Sequence, residues 1–302
     1  MFRIKLNRNL LLLHLTVLVW GFTGILGALI SVSAMHLVWY RVLIATITLF
    51  IYFKYTKKNI HIARRLFIKL MLTGGLVGLH WFLFFQSIKL ANVSVTLVCL
   101  SSLTLFTALL EPLFNKQRIA YLELFIGMLI IFGIYLIFKF ETQYIYGILL
   151  GLSAALCGSL FTIINGKLIK TSKATIISFY EMAGAWFWLS LYLLISGGFN
   201  EEMRLDPNDT IYLILLGTVC TSAAYVAGVS VMREISAFRV ALITNLEPIY
   251  GILLALVIFR QEEKMSAGFY AGALLVLGAV FLYPILKTKL AHRKLKKQLP
   301  TV

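Results

Sequence analysis

The stretch Val240–Phe259, VALITNLEPIYGILLALVIF, carries one formal charge, Glu247, which is followed at once by Pro248. A helix that crosses a lipid bilayer needs about 20 mostly apolar residues, and this stretch supplies them. Proline has no backbone N–H, so Pro248 leaves the carbonyl of Thr244 without its helical donor. The stretch therefore predicts a membrane-spanning helix with a bend near its middle and polar groups at the bend.

Apolar stretches of this kind recur along almost the whole chain of 302 residues, which is 60% hydrophobic and 13% charged. Soluble domains are roughly 45 to 50% apolar and about 25% charged, so the composition excludes a soluble domain. We predict an all-α integral membrane protein. Its ten transmembrane helices are expected near residues 8–30, 35–53, 65–86, 93–114, 119–138, 145–166, 175–196, 209–231, 237–259 and 266–286.

The positions of the basic residues predict how these spans are oriented. Cytoplasmic connections of membrane proteins are enriched in Lys and Arg. With a cytoplasmic N-terminus, 22 of the 28 basic residues fall on the cytoplasmic side, five fall outside, and Arg41 lies within a span. We therefore expect a multi-pass protein of the cell inner (plasma) membrane with both termini cytoplasmic. The net charge of +16 is explained by this topology, and no nucleic acid is expected as a partner.

The two halves of the chain resemble each other in sequence. Phe106–Leu110 matches Tyr250–Leu254 at an offset of 144, and Tyr40-Arg41 matches Tyr180-Glu181 at an offset of 140. We predict two five-helix repeats, 1–140 and 141–288, and a basic cytoplasmic tail, 289–302. An odd number of spans per repeat gives the two repeats opposite orientations in the membrane. Inverted repeats are typical of carriers that expose a midplane site to each side in turn.

From Asn9 to Lys287 the chain resembles the EamA-type carriers of the drug/metabolite transporter superfamily. The resemblance rests on Trp20-Gly21, on Tyr40-Arg41, and on Leu246–Ile249 leading to Gly272 and Gly278. It implies a secondary transporter that exports or exchanges amino acids, drug-like cations or other small metabolites across the bacterial inner membrane. Thr104 stands where that family often has a proline, and Pro112 follows eight residues later.

The chain has no phosphate-binding glycine loop and no catalytic motif on a span. We therefore expect an exporter that works by alternating access and needs no cofactor; the alternative is an intramembrane or interfacial enzyme without a recognisable catalytic motif. The expected partners are a small-molecule substrate and the lipid bilayer. A coupling proton and a homodimer are further options.

Ionisable groups at membrane depth are costly, so each one is a candidate functional residue. Glu247, with Thr244 and Asn245, is predicted to line a polar cavity that binds a substrate ammonium group or a transported proton; the alternative is a neutral, hydrogen-bonded Glu at a kink. Arg41 and Glu181 are each predicted to belong to a gate or a polar lining, on opposite faces, with Arg41 able to attract a substrate carboxylate. The alternative for both is an extended side chain that reaches the nearer interface.

Aromatic residues within the spans are the remaining candidates. Their side chains can wall an apolar cavity, face a cation, or simply pack in the core. His80 could relay protons or bond a neighbouring helix. The residues predicted to bind substrate are Trp20, Tyr40, Arg41, Trp81, Tyr180, Glu181, Tyr225, Thr244, Asn245 and Glu247.

Overall fold

The computed structural model describes residues 8–116 and 121–298. The backbone of these two ranges is helical and includes no β-strand. Helices α1 to α13 are Arg8–Leu29, Ala34–Thr56, Arg64–Leu90, Val93–Leu100, Leu103–Phe114, Tyr121–Phe140, Ile145–Leu168, Ala174–Ser196, Pro207–Gly217, Ala224–Val231, Ala237–Thr244, Leu246–Ile258 and Ala267–Gln298.

Nine stretches within the described ranges are long and apolar enough to cross a membrane. They agree within a few residues with nine of the predicted spans, three of which are each built from two consecutive helices. Helix α6 corresponds to the fifth predicted span, and its apolar part, Phe125–Phe140, is shorter than the others. The chain is therefore an all-helical, multi-pass membrane protein, and the count of ten spans in inverted repeats stays a prediction.

Residues 1–7, 117–120 and 299–302 are not described. Arg3, Lys5 and Arg118, which contribute to the predicted charge asymmetry, lie outside the described residues. The predicted tail begins as a continuation of α13, which stays helical to Gln298.

The bend predicted at Pro248 is confirmed. Helix α11 ends at Thr244 and α12 begins at Leu246, with Asn245 between them. A second interruption, which the sequence analysis did not predict, separates α4 from α5 at Ser101 and Ser102. There the Ser102 hydroxyl donates to the Cys99 carbonyl at 2.7 Å, a local bond of the kind that competes with the helical ladder.

A third interruption, also not predicted, lies between α9 and α10, where Thr218–Ala223 form a π-helical turn. The hydroxyls of Thr221 and Ser222 each donate to the carbonyl five residues earlier, at 2.7 and 2.9 Å. Such turns are rare and occur often at functional sites. Here the turn fixes the Thr221 hydroxyl towards α2.

Close helix packing depends on glycines. A Cβ added at Gly74 of α3 would lie 2.4 Å from the Glu181 carbonyl oxygen of α8, and one added at Gly184 would lie 2.8 Å from the Met71 carbonyl oxygen. On the opposite side of the bundle, Gly133 of α6 and Gly272 of α13 approach each other equally closely. Small residues allow this approach in membranes, where packing rather than the hydrophobic effect holds helices together.

One end of the bundle, named here the Asp209 end, is closed by carboxylates that accept hydrogen bonds from backbone N–H groups. Asp209 accepts from Ser31 N at 2.9 Å, and Glu141 accepts from Ser266 N at 2.9 Å. Glu263 accepts from the N–H groups of Val93 and Ser94, both at 2.9 Å. These bonds join connections that the sequence analysis assigned to the outer side.

The opposite end is named the Arg233 end. Arg233 donates to the Ser172 carbonyl at 3.3 Å, and Lys167 donates to the Phe114 carbonyl at 2.9 Å. Asn9, near the start of α1, donates to Glu234 at 2.5 Å. These groups belong to connections that the sequence analysis assigned to the cytoplasm.

Candidate functional site

A buried cavity of about 80 Å³ lies inside the bundle, between α1, α2, α3 and the helices of the second half. Six of the ten predicted site residues line it: Trp20, Arg41, Trp81, Tyr225, Thr244 and Glu247. Most of the remaining wall is apolar, with Phe84, Leu100, Leu103 and Phe161 among its residues. A few charged and polar groups in an apolar wall are typical of a small-molecule binding site, whereas the cavity volume is below the roughly 300 Å³ at which such sites begin, so a substrate would require the surrounding helices to move apart.

Arg41 is the cation of the cavity. Its side chain is 1% exposed, so it does not extend to the surface of the bundle. The Nε group donates to the Thr221 hydroxyl of the π-helical turn at 2.6 Å, and the guanidinium carbon lies 4.0 Å from the centre of the Trp81 ring. The Nη1 group has no hydrogen-bond partner among the described residues. A guanidinium held in this way offers N–H donors to a carboxylate in the cavity.

Glu247 is the acidic residue of the cavity. It lies in the first turn of α12, beside the buried Pro248, and is itself 6% exposed. Thr244, on the other side of the bend, donates its hydroxyl to the Val240 carbonyl at 2.9 Å. The cavity is thus lined by one basic and one acidic side chain.

A second polar cluster adjoins the cavity. Glu181 of α8 is 0% exposed, and its Oε2 accepts from Asn165 Nδ2 at 3.1 Å and from the Tyr225 hydroxyl at 2.8 Å. Asn165 Nδ2 also donates to the Tyr225 hydroxyl at 3.0 Å. Glu181 Oε1 and Asn165 Oδ1 have no hydrogen-bond partner among the described residues.

Aromatic side chains connect the two clusters. The ring of Tyr225 lies 5.8 Å from that of Trp81 in an edge-to-face arrangement, and Trp81 in turn carries the Arg41 guanidinium on its face. Edge-to-face contacts and cation–π contacts are both favourable. Tyr225, Trp81 and Arg41 thus form a continuous row of contacts between the two clusters.

Asn245 does not line the cavity. It lies at the break between α11 and α12, where its side-chain amide donates to the Thr104 hydroxyl and, at 3.1 Å, to the Ala241 carbonyl. Thr104 donates to the same Ala241 carbonyl at 3.1 Å. The residue that replaces the expected proline in α5 thus joins the two interrupted spans at their breaks.

We expect this junction to behave as one unit. Thr104→Ala and Asn245→Ala should each lower the free energy of unfolding by about 1 to 2 kcal/mol, because each leaves buried polar groups with fewer partners. The double variant should lose less than the sum of the two, with a coupling of about 1 kcal/mol. Chemical unfolding of the four detergent-purified proteins measures this cycle, and strictly additive losses would contradict it.

Tyr40 and Tyr180 are not brought to the cavity. The Tyr40 hydroxyl donates to the Met203 carbonyl at 3.0 Å, close to the Asp209 end. The Tyr180 hydroxyl donates to the Ile60 carbonyl at 2.9 Å, at the opposite end. Both tyrosines therefore fasten connecting segments to the helix bundle.

Several cavity residues were missed by the sequence analysis. Thr162 and Asn165 lie three positions apart on one face of α7, and Thr23 follows Trp20 by three positions on α1. Polar residues at helical spacing within an apolar span are the signal that could have found them. His80 also lines the cavity, and its Nδ1 lies 2.7 Å from the Ala154 carbonyl of α7, which is the interhelical bond given as an alternative to a proton relay.

Two further features restrict what the site can do. The described residues contain no group of three His, Cys, Asp or Glu side chains arranged to hold a metal ion. Met232 lines both the central cavity and a second cavity of about 230 Å³ at the Arg233 end. The two cavities therefore adjoin at Met232, towards the Arg233 end, while carboxylate hydrogen bonds join the connections at the Asp209 end.

Apolar spans around a buried cavity that carries a few charged and polar groups are the arrangement expected of a membrane transport protein. Comparison with known families agrees: the model of the EamA-like transporter family matches residues 7–139 and again residues 145–283. The chain belongs to the EamA-like transporter family. Membership of a transporter family favours transport over an enzymatic activity.

Individual relatives are distant but extend over most of the chain. An uncharacterized transporter of Archaeoglobus fulgidus is 22% identical over 284 residues, 91% of this chain and 97% of the relative. The uncharacterized transporter YdfC of Bacillus subtilis is 22% identical over 268 residues, 87% of this chain and 86% of its own. A protein crystal structure aligns with a TM-score of 0.68 at 14% identity, covering 92% of this chain and 98% of that one, which shows the fold alone.

Proposed function

We propose that this protein is a secondary carrier that exports small zwitterionic metabolites, amino acids among them, from the cytoplasm by alternating access. The observation that carries the proposal is that Arg41 and Glu247 line one cavity with apolar walls. The Arg41 guanidinium would hold a carboxylate, and the Glu247 carboxylate would hold an ammonium group. The side chain of the substrate would lie against Trp20 and Trp81.

The proposal includes two inverted five-helix repeats, 1–140 and 141–288, in the inner (plasma) membrane with cytoplasmic termini. The breaks at Ser101 and Asn245 support it, because they are 144 residues apart, the offset that also relates Phe106–Leu110 to the second half. A carrier that loads from the cytoplasm has its outer end closed and its site open towards the cytoplasm. The hydrogen bonds across the Asp209 end and the second cavity at the Arg233 end support this arrangement. A substrate would then leave when the Asp209 end opens.

Counterflow tests the proposal. Proteoliposomes loaded with unlabelled phenylalanine should accumulate labelled phenylalanine transiently and saturably. Phenethylamine, which lacks the carboxylate, and 3-phenylpropionate, which lacks the ammonium group, should each compete at least about tenfold more weakly, because each leaves one buried charge without a partner. A leucine series repeats the test with an aliphatic side chain. Chemical conversion of these compounds without translocation would support an intramembrane enzyme instead.

Glu247→Gln sharpens this test. It removes the charge that would face the ammonium group, so the preference for phenylalanine over 3-phenylpropionate should fall by about tenfold. Glu202→Gln, at an exposed position of the connection between α8 and α9, is the matched control and should keep the preference. An unchanged preference in Glu247→Gln would remove Glu247 from the substrate site.

A further inference from the structure

The Glu181 carboxylate is buried, and no cation of the described residues donates a hydrogen bond to it. Its two partners, Asn165 of α7 and Tyr225 of α10, are neutral donors. Helix α3 meets this part of α8 through Gly74, whose added Cβ would touch the Glu181 carbonyl. Among the described residues, the only titratable side chain that contacts the Glu181 carboxylate is that of Tyr225.

Two buried titratable side chains of the neighbouring helices, Arg41 and His80, contact groups other than Glu181. Arg41 of α2 bonds Thr221 and lies on the Trp81 ring. His80 of α3 lies at hydrogen-bond distance from the Ala154 carbonyl. An anionic Glu181 would therefore be an uncompensated charge in a low-dielectric interior, and binding a proton removes that charge. The unpartnered Oε1 is the oxygen available to receive the proton.

The cluster is separate from the groups that would hold a zwitterion. A zwitterionic substrate has no net charge, so its binding between Arg41 and Glu247 leaves the charge of Glu181 uncompensated. Asn165 and Tyr225 line the cavity and also contact Glu181, so they connect the buried carboxylate to the cavity. Tyr225 also packs on Trp81, so the residue that bonds the Glu181 carboxylate also contacts a residue of the proposed substrate site.

We propose that Glu181 is the proton-binding site that couples transport to a proton gradient, with Asn165 and Tyr225 holding its unprotonated form. The inference rests on the proposed carrier function. The proton adds to Glu181 Oε1 when the cavity faces one side and leaves when it faces the other. Loss of the anionic charge weakens the hold on Tyr225, and through Trp81 the change reaches the Arg41 group.

A spectroscopic experiment tests the site without any substrate. Infrared difference spectra of the purified protein on a pH step should show a carboxylic acid C=O band that is missing in Glu181→Gln and present in Glu202→Gln. Glu181→Asp keeps a carboxyl group and should keep a titrating band at a shifted frequency. Identical pH-dependent carboxylic acid bands in the unaltered protein and in Glu181→Gln would overturn the proposal, because the other carboxyl groups contribute equally to both spectra.

A transport experiment tests the coupling. In proteoliposomes with an imposed pH gradient, Glu181→Gln should lower gradient-driven accumulation of labelled phenylalanine at least about tenfold more than it lowers counterflow at equal pH. If Glu181→Gln does not fold, Glu181→Asp should likewise lower accumulation more than counterflow. Undiminished accumulation in the substituted protein refutes the coupling role alone, whereas absence of counterflow in the unaltered protein refutes the carrier function itself.

Discussion

Arg41→Ala is expected to reduce phenylalanine counterflow by about a hundredfold, which corresponds to about 2.7 kcal/mol of lost binding free energy. The substitution removes the cation of the cavity and its contacts with Thr221 and Trp81. Glu247 would then be a buried carboxylate without a nearby cation, so a substrate carboxylate would meet repulsion where it now meets an attractive group.

Arg41→Lys separates charge from geometry. Lysine keeps the positive charge. It lacks the planar guanidinium group, which can bond Thr221 and at the same time offer other N–H donors to the cavity. We expect it to recover part of the counterflow, about tenfold above the alanine variant. Arg204→Ala, at an exposed position between α8 and α9, is the matched control and should transport normally. If Arg41→Ala transports at the rate of this control, the carboxylate site is not at Arg41.

Gly74→Leu is expected to abolish recovery of folded protein. The Cβ alone would lie 2.4 Å from the Glu181 carbonyl oxygen and 2.9 Å from Ala185 N, both backbone atoms that no side-chain rotation can move away. The substitution would force α3 away from α8. We expect it to lower the free energy of unfolding by more than the roughly 1 to 3 kcal/mol that overpacking a core usually costs. Size-exclusion chromatography of detergent extracts measures the yield of monodisperse protein.

Gly278→Leu is the matched control, because a Cβ at Gly278 meets no atom within 4 Å among the described residues. Leucine also favours the helix over glycine by nearly 1 kcal/mol, so this variant should be recovered at normal yield. Equal yields of the two variants would show that α3 and α8 can separate without loss of the fold.

The sequence was sufficient to predict helix positions but not the direction of each side chain. Spans follow from hydropathy, and the bend at Pro248 follows from the missing N–H. Successive residues on a helix point about 100° apart, so the sequence alone does not show which of Tyr40 and Arg41 faces the cavity. Both were predicted site residues, as were Tyr180 and Glu181; in each pair the tyrosine instead bonds a backbone carbonyl near one end of the bundle.

The breaks without proline show the same limit. Ser101 and Ser102 interrupt a span because their hydroxyls bond nearby carbonyls, yet serines within a span are compatible with an unbroken helix. Thr104 joins the two interrupted spans because it accepts a hydrogen bond from Asn245, which lies 141 residues away in the sequence. Asn165 lies at the end of the predicted span 145–166, directly before Gly166-Lys167, so its position in the sequence does not indicate a buried cluster.

The carboxylates of the Asp209 end have a kinetic consequence. Asp209 and Glu263, from the second half of the chain, bond the backbone of Ser31, Val93 and Ser94 in the first half. In the proposed transport cycle, moving the two halves apart at this end would break these bonds together, so they would contribute jointly to the activation barrier. Because these bonds pair carboxylates with neutral backbone amides, and Lys89 beside Asp209 donates its own hydrogen bond to the Ile30 carbonyl, we expect turnover to respond weakly to ionic strength.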